Sequence, residues 1–157
     1  MKPIPIEISN KHVHFSQKDM DILFGENYKL TKIKDLSQPG EFAAEEKVEI
    51  EHLGNKLSLR VLGPIRDKTQ IELSLTDIVI LKLQLNGFIV ESPEVKLTGP
   101  KGTIFIKDHI QIVKRHLHCT PEDVQKLDLK DKVDILVPGE RAVVFKDVIV
   151  RVSPNFK

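Results

Sequence analysis

IVKRHLHCTPEDVQKL, residues 112–127, sets two histidines at alternate positions and follows them at once with a helix-start signal. SNKHVHFSQKDMDIL, residues 9–23, repeats the plan: His-apolar-His, one residue, a hydroxyl, Gln or Pro, a charge, an aspartate, an apolar residue and, three positions on, a leucine. The offset is the same from His12 to His116 as from His14 to His118. RVLGPIR (60–66) and RVSPNFK (151–157) form a second, weaker echo. A chain that says the same thing twice reads as two half-chains of one architecture.

The segments around these copies are mostly strand-like. Residues 4–9, 47–53, 56–62, 70–74, 95–99, 103–107, 110–118, 133–137 and 142–152 alternate apolar with polar side chains or run in β-branched residues. Gly54-Asn55, Gly63-Pro64, Gly99-Pro100-Lys101-Gly102 and Pro138-Gly139 punctuate them as turns. GlyAsn and LysGly between paired runs predict hairpins. Ser16 opens a short helix that stops at Gly25, and Thr120-Pro121 opens another that ends near Leu127, each with a hydroxyl residue at the N-cap. Residues 75–83 fit either a helix or a buried strand. Many short strands with few helices predict a mainly β fold. The expected architecture is two small β-barrels related by the internal repeat, each with a short helix after a His-x-His strand. Their expected spans are 1–88 and 89–157, closely packed enough to pass for one domain.

Composition narrows the function. Hydrophobic residues make up 40% and charged residues 30%, with a net charge of +1 and no basic block. A nucleic-acid-binding chain carries a basic footprint and stacking aromatics, so nucleic acid is not an expected partner. No apolar run approaches the roughly 18 residues of a membrane span. MKPIPIEIS lacks the apolar stretch and cleavage site of a secretory signal. Cys119 is alone, so no internal disulfide can form, and a reducing cytoplasm is the natural setting.

Six histidines beside no tryptophan and one tyrosine are the compositional oddity, and four of them make up the two pairs. Residues i and i+2 of a strand share a face, so the imidazoles of each pair can converge on one zinc ion. A single pair is more often an ordinary strand surface, but the duplicate favours metal. Zinc that does chemistry usually keeps three protein ligands and an open position. Glu72 in TQIEL is the candidate third ligand for the first pair, with Ile71 and Leu73 turned the other way. It reads equally well as an exposed strand glutamate. Arg66, after the Gly-Pro turn, could present its fork to a phosphate or carboxylate, or be a plain surface charge. His52 and His109 have no such context and are expected at the surface.

HVHFSQKDMDILFG, KLTKIKDLSQPGEFAAEEKVEI, RVLGPIRDKTQIELSLTD, LTGPKG and RHLHCTPEDVQKLDLKD together resemble the phosphate propanoyltransferase family, the phosphotransacylases of propanediol degradation. The similarity runs in order over nearly the whole chain. It implies two β-barrels with a dinuclear zinc site at their junction, and the reaction acyl-CoA + phosphate ⇌ acyl phosphate + CoA. Carried over by position, His12, His14 and Glu72 would hold the first zinc, where the CoA sulfur also binds. His116 and His118 would hold the second, and Arg66 would be the catalytic, phosphate-binding residue. The family's last zinc ligand is a histidine a few residues past RVSPNFK, in an acidic C-terminal motif that this chain, ending at Lys157, lacks. The second zinc is therefore expected to be labile.

Residues 78–94 depart from the family's usual segment between the barrels, and Phe15 and Cys119 replace its aliphatic or methionine residues after each pair. Cys119 is expected as a packed, reduced thiol on the opposite face. The expected partners are acyl-CoA, with a short chain such as propanoyl or acetyl, and phosphate. The rival reading is a catalytically weak or inactive metal-binding relative, and a non-metal oligonucleotide-binding barrel ranks third. Family members of bacterial microcompartments carry an N-terminal targeting extension. This chain opens on its first expected strand, so a cytoplasmic protein is expected ahead of the microcompartment lumen. Oligomeric state, including a homo-oligomer, is left open.

Overall fold

The first long hairpin organises the sheet. Phe42–His52 (β3) and Asn55–Arg66 (β4) pair antiparallel around Leu53 and Gly54, both at positive φ, as a two-residue hairpin turn demands. The turn thus sits one residue earlier than the Gly54-Asn55 signal indicates. Ile50, Leu59 and Val61 face inward from this hairpin and are fully buried. The computed structural model describes residues 4–87, 89–91, 94–107 and 109–156. Phe88, expected to end the first half, and Lys157 lie outside this set.

The elements run His12–Ser16 (β1), Gln17–Phe24 (α1), Lys32–Asp35 (β2), β3, β4, Gln70–Leu73 (β5), Leu75–Ile80 (α2), Gln84–Asn86 (β6), Ile89–Glu91 (β7), Val95–Thr98 (β8), Thr103–Ile106 (β9), Ile110–Ile112 (β10), His116–Cys119 (β11), Pro121–Leu127 (α3), Lys132–Val137 (β12) and Val143–Val152 (β13). The chain is mainly β, as expected. Among the described residues one curled sheet runs β6-β7-β10-β5-β1-β4-β3-β8-β9, with β2 on β3, and a three-stranded sheet runs β11-β13-β12.

The chain falls into two compact units, Met1–Lys34 with Phe42–Ile112, and Asp35–Glu41 with Val113–Lys157. This grouping differs from the expected halves, 1–88 and 89–157. β7 and β10 pair along one another, and β10 joins β5, so these later strands belong to the first unit. The expected strand 110–118 is accordingly broken. Its first part finds β5, and its second part finds β13.

The internal repeat survives as local topology. In the first unit β1 leads into α1 and lies parallel to β4, the second strand of the β3–β4 hairpin. In the second unit β11 leads into α3 and lies parallel to β13, the second strand of the β12–β13 hairpin. His12 pairs with Arg60, whereas it is His118 that pairs with Arg151. The two units thus differ by a two-residue slip, which keeps the same face turned the same way.

Ser16 caps α1 by accepting from the Asp19 N–H at 3.2 Å, and Thr120 caps α3 in a full capping box with Asp123. The ambiguous stretch at 75–83 is a helix at its start, because Ser74 and Asp77 form a second capping box. α1 lies on the β8–β9 turn, where Lys101 N–H donates to the Leu23 carbonyl at 2.9 Å. Gly99 is required there, since a Cβ would stand 2.6 Å from the Leu23 oxygen.

Three further expectations fail. Residues 4–9 form no strand, and Ile4, Ile6 and Ile8 are exposed; Pro5 has no N–H to give to a ladder. Gly63-Pro64 is not a turn but lies inside β4, where Gly63 pairs with Phe42. His52 is buried, with Nδ1 bonded to the Leu81 carbonyl at 2.7 Å. His109 is exposed as expected.

Candidate active site

β1 alternates strictly. Val13 and Phe15 enter the first unit's core, fully buried, while His12 and His14 turn to the other face. On β5, Ile71 and Leu73 likewise enter the core, so Gln70 and Glu72 take the histidines' side. The β1–β5 ladder sets His12 opposite Glu72 and His14 opposite Gln70. β4 flanks β1 on its other edge and ends at Arg66, which pairs with Ser16 where a bulge follows His14. Three strands therefore bring His12, His14, Arg66, Gln70 and Glu72 together in the first unit.

His12 Nε2 and Glu72 Oε2 lie 3.1 Å apart. His12 Nδ1 bonds the Asn10 carbonyl at 2.7 Å, which aims the other nitrogen at the carboxylate. Gln111 on β10 donates to Glu72 Oε1 at 3.1 Å. Arg66 Nη1 donates to Gln70 Oε1 at 2.6 Å. The rings of His12 and His14 meet edge to face with centroids 5.4 Å apart. An open depression of about 580 Å³ is lined by Ile65, Arg66, Asp67, Lys68 and Gln70.

Burial and charge tune these groups apart. Burial would lower the His12 imidazole, but its bond to Glu72 and the Asn10 carbonyl together hold it above the ordinary value. Burial would raise the Glu72 carboxyl, but the bond to His12 and then Gln111 hold it below the carboxylate range. Among the described residues His14 has no such hydrogen-bond partner at Nδ1. Burial, with the charges of Arg66 and His12, pushes it down to about 4. His14 is therefore a neutral imidazole across the physiological range.

The residues suit a zinc ion chemically. Two imidazoles and a carboxylate from adjacent strands are a familiar catalytic donor set. His14 Nδ1 is buried and bonded to nothing among the described residues, the kind of orphaned polar atom that a bound ion explains. His12 has the outer hydrogen bond that orients metal-ligating histidines. Among the described residues no three His, Cys, Asp or Glu side chains form a ready-made cage. Glu72 instead engages His12 directly.

The second unit repeats the local design. His116 Nδ1 bonds the Lys114 carbonyl at 2.9 Å, two residues back, as His12 bonds Asn10. The rings of His116 and His118 lie 4.8 Å apart, and His118 stacks on Phe156 at 4.1 Å. Cys119 turns away into a buried position as expected, and burial raises its thiol. The sequence reading missed Gln70 and Gln111. Gln70 was visible in principle, since it lies two residues before Glu72 and so shares its face.

Comparison with known proteins places the chain. The phosphate propanoyltransferase family model matches residues 5–157. A phosphate propanoyltransferase of Clostridioides difficile is 43% identical over 98% of this chain and 77% of its own length. Those of Thermotoga maritima (40% identical, 98% and 77%) and Priestia megaterium (44% identical, 98% and 74%) are similarly related.

Proposed function

The chain belongs to the phosphate propanoyltransferase family, an acyltransferase family, and on that premise we propose that it moves a short acyl group, propanoyl or acetyl, between coenzyme A and inorganic phosphate with zinc as cofactor. The observation that supports this reading most is the clustering of Arg66 with the His12, His14 and Glu72 side chains on three adjacent strands. It unites an anion-binding group with a zinc donor set on one face.

Arg66 binds phosphate through its planar fork and holds it beside the thioester carbonyl. A phosphate oxygen forms the new C–O bond, the C–S bond breaks, and CoA leaves as its thiolate. The positive guanidinium faces the charge that gathers on the carbonyl oxygen and on the attacking phosphate. No side-chain nucleophile is required. His12, His14 and Glu72 would hold one zinc, and His116 with His118 a second. A bound zinc supplies Lewis acidity toward the carbonyl oxygen or the departing sulfur. His14 stays neutral because burial and Arg66 disfavour its cation, so its lone pair remains available as a donor. Gln111 keeps the Glu72 carboxylate aimed at the histidines. No helix among the described residues is long and apolar enough to cross a membrane.

The test is a thiol-release assay on protein purified without chelator, with propanoyl-CoA and phosphate, alongside metal analysis. Phosphate-dependent thiol release, with zinc bound and lost when His12 and His14 are both changed to alanine, is the expected result. A zinc-loaded chain that releases no thiol in response to phosphate would overturn the assignment.

A further inference from the structure

Arg66 closes β4, and its Nη1 donates to Gln70 Oε1 at 2.6 Å. Gln70 opens β5 and faces His14 across the β1–β5 ladder, two residues from the Glu72–His12 pair. Gln70 and Arg66 also line the same open depression. Taking as its basis the reading of Arg66 as the phosphate-binding group, we infer that Gln70 is the positioning residue for that grip. Its amide oxygen fixes the plane of the Arg66 guanidinium before phosphate arrives.

Arginine turns about several side-chain bonds, whereas fork-wise binding of an oxyanion demands one orientation of the guanidinium plane. A contact that imposes the orientation beforehand reduces the freedom lost on binding. A neutral amide suits this task better than a carboxylate. The carboxylate would hold the arginine at least as firmly, but it would cancel the charge and repel the anionic substrate. The amide accepts the same hydrogen bond without adding a negative charge beside the phosphate. Its place on the strand matters equally. β5 carries Gln70 and Glu72 on one face, so the strand that offers a metal ligand also sets the arginine. The arginine's positioning contact and the candidate metal ligand are thereby registered to one backbone, and small misplacements of such groups are costly to rate.

The test compares Gln70→Ala and Gln70→Glu with the wild-type chain, each loaded with zinc and checked for intact fold by circular dichroism. Steady-state kinetics with propanoyl-CoA are joined by calorimetric titration of orthophosphate, which reads binding without turnover. Gln70→Ala should raise the phosphate KM about tenfold, the scale of a lost bond to a charged group. The KM for propanoyl-CoA should stay within about twofold. Gln70→Glu should raise the phosphate KM further than alanine does, and orthophosphate binding should weaken in the same order. A glutamine that merely supports the fold gives the reverse, because a glutamate would replace its hydrogen bond with an ion pair. Equal phosphate KM values in all three proteins, or Gln70→Glu binding orthophosphate as well as wild type, overturn the inference. Arg66→Ala, run alongside, separates the layers. If it leaves orthophosphate binding intact, the phosphate site lies elsewhere and the functional reading itself fails. If it weakens binding while both Gln70 variants do not, only the role of Gln70 is refuted.

Discussion

Replacing His14 with leucine should stabilise the metal-free protein, and increasingly so as pH falls. His14 is 1% exposed, and its Nδ1 has no hydrogen-bond partner among the described residues. A buried polar atom left unsatisfied costs about 1–3 kcal/mol, and leucine removes it. Protonation adds to this. The folded pKa of about 4 lies below the ordinary 6.5, so between those values the unfolded chain binds a proton that the folded chain refuses. Stability from this group is therefore complete above about pH 6.5 and is lost as pH falls toward about 4. At about 1.4 kcal/mol per pKa unit, wild type forfeits about 2 kcal/mol by pH 5 and about 3 kcal/mol below pH 4. The leucine variant forfeits nothing here. Urea unfolding with chelator present, followed by circular dichroism, reads the difference directly. The variant should lead by about 1 kcal/mol near pH 8 and by about 3 kcal/mol near pH 5. Adding zinc should reverse the order, because the metal then stabilises only wild type. A difference that does not grow on acidification, or a His14 imidazole that titrates near its ordinary value by NMR, refutes the reasoning.

Other changes probe the arginine and the scaffold. Arg66→Lys keeps the charge but loses the fork, so the phosphate KM should rise about tenfold while that for acyl-CoA moves little, as steady-state kinetics will show. Glu46 accepts from the Thr31 N–H at 2.9 Å and from the Tyr28 hydroxyl at 3.0 Å. Burial would raise its carboxyl, but these bonds hold it below the ordinary range. Its contribution is thus present above about pH 4.5 and lost in acid. Glu46→Gln should cost about 1–2 kcal/mol in urea unfolding at neutral pH, shrinking on acidification. A Cβ at Gly63 would run into the Phe42 ring, so Gly63→Ala should cost about 1–3 kcal/mol, partly recovered when Phe42→Leu makes room.

The parts of the fold that rest on local chemistry were legible. α1 and α3 follow from their caps, and Val13, Phe15, Ile71 and Leu73 reach the core because alternation sends them there. His12, His14 and Glu72 share a side for the same reason. The parts that depend on distant pairing were not legible. Nothing local in IQI tells that β10 runs parallel to β5, or that the strand breaks before His116. β2, with all four residues exposed, offers no apolar alternation to read. Gly63-Pro64 carries every sign of a turn, yet β4 continues through it because Phe42 and Ser16 supply partners beyond. His52 looked like a surface residue because the Leu81 carbonyl that receives it lies on a segment far along the chain. Gln70 and Gln111 escaped notice because amides titrate nothing and match no motif. Their meaning comes only from Arg66 and Glu72 beside them.

β1 sits between β4 and β5, both of which come later in the chain, and this orders events in time. The β3–β4 hairpin closes across adjacent residues, on the scale of about 1–10 μs. β1 must find its neighbours over long separations, the slow kind of pairing. Ribosomes extend a chain by about 5–20 residues per second, so the paired imidazoles are exposed for seconds before Glu72 has been synthesised. In that interval they can sample whichever divalent ion is abundant, binding it weakly with two donors. If these residues hold a metal as proposed, firm retention would come only when β5 docks and the carboxylate joins. Affinity alone favours copper over zinc at nitrogen sites. Under the proposed reading, the ion retained would depend on the cell's metal supply at the moment of sheet closure, and chains refolded in mixed metals would preserve a record of that moment.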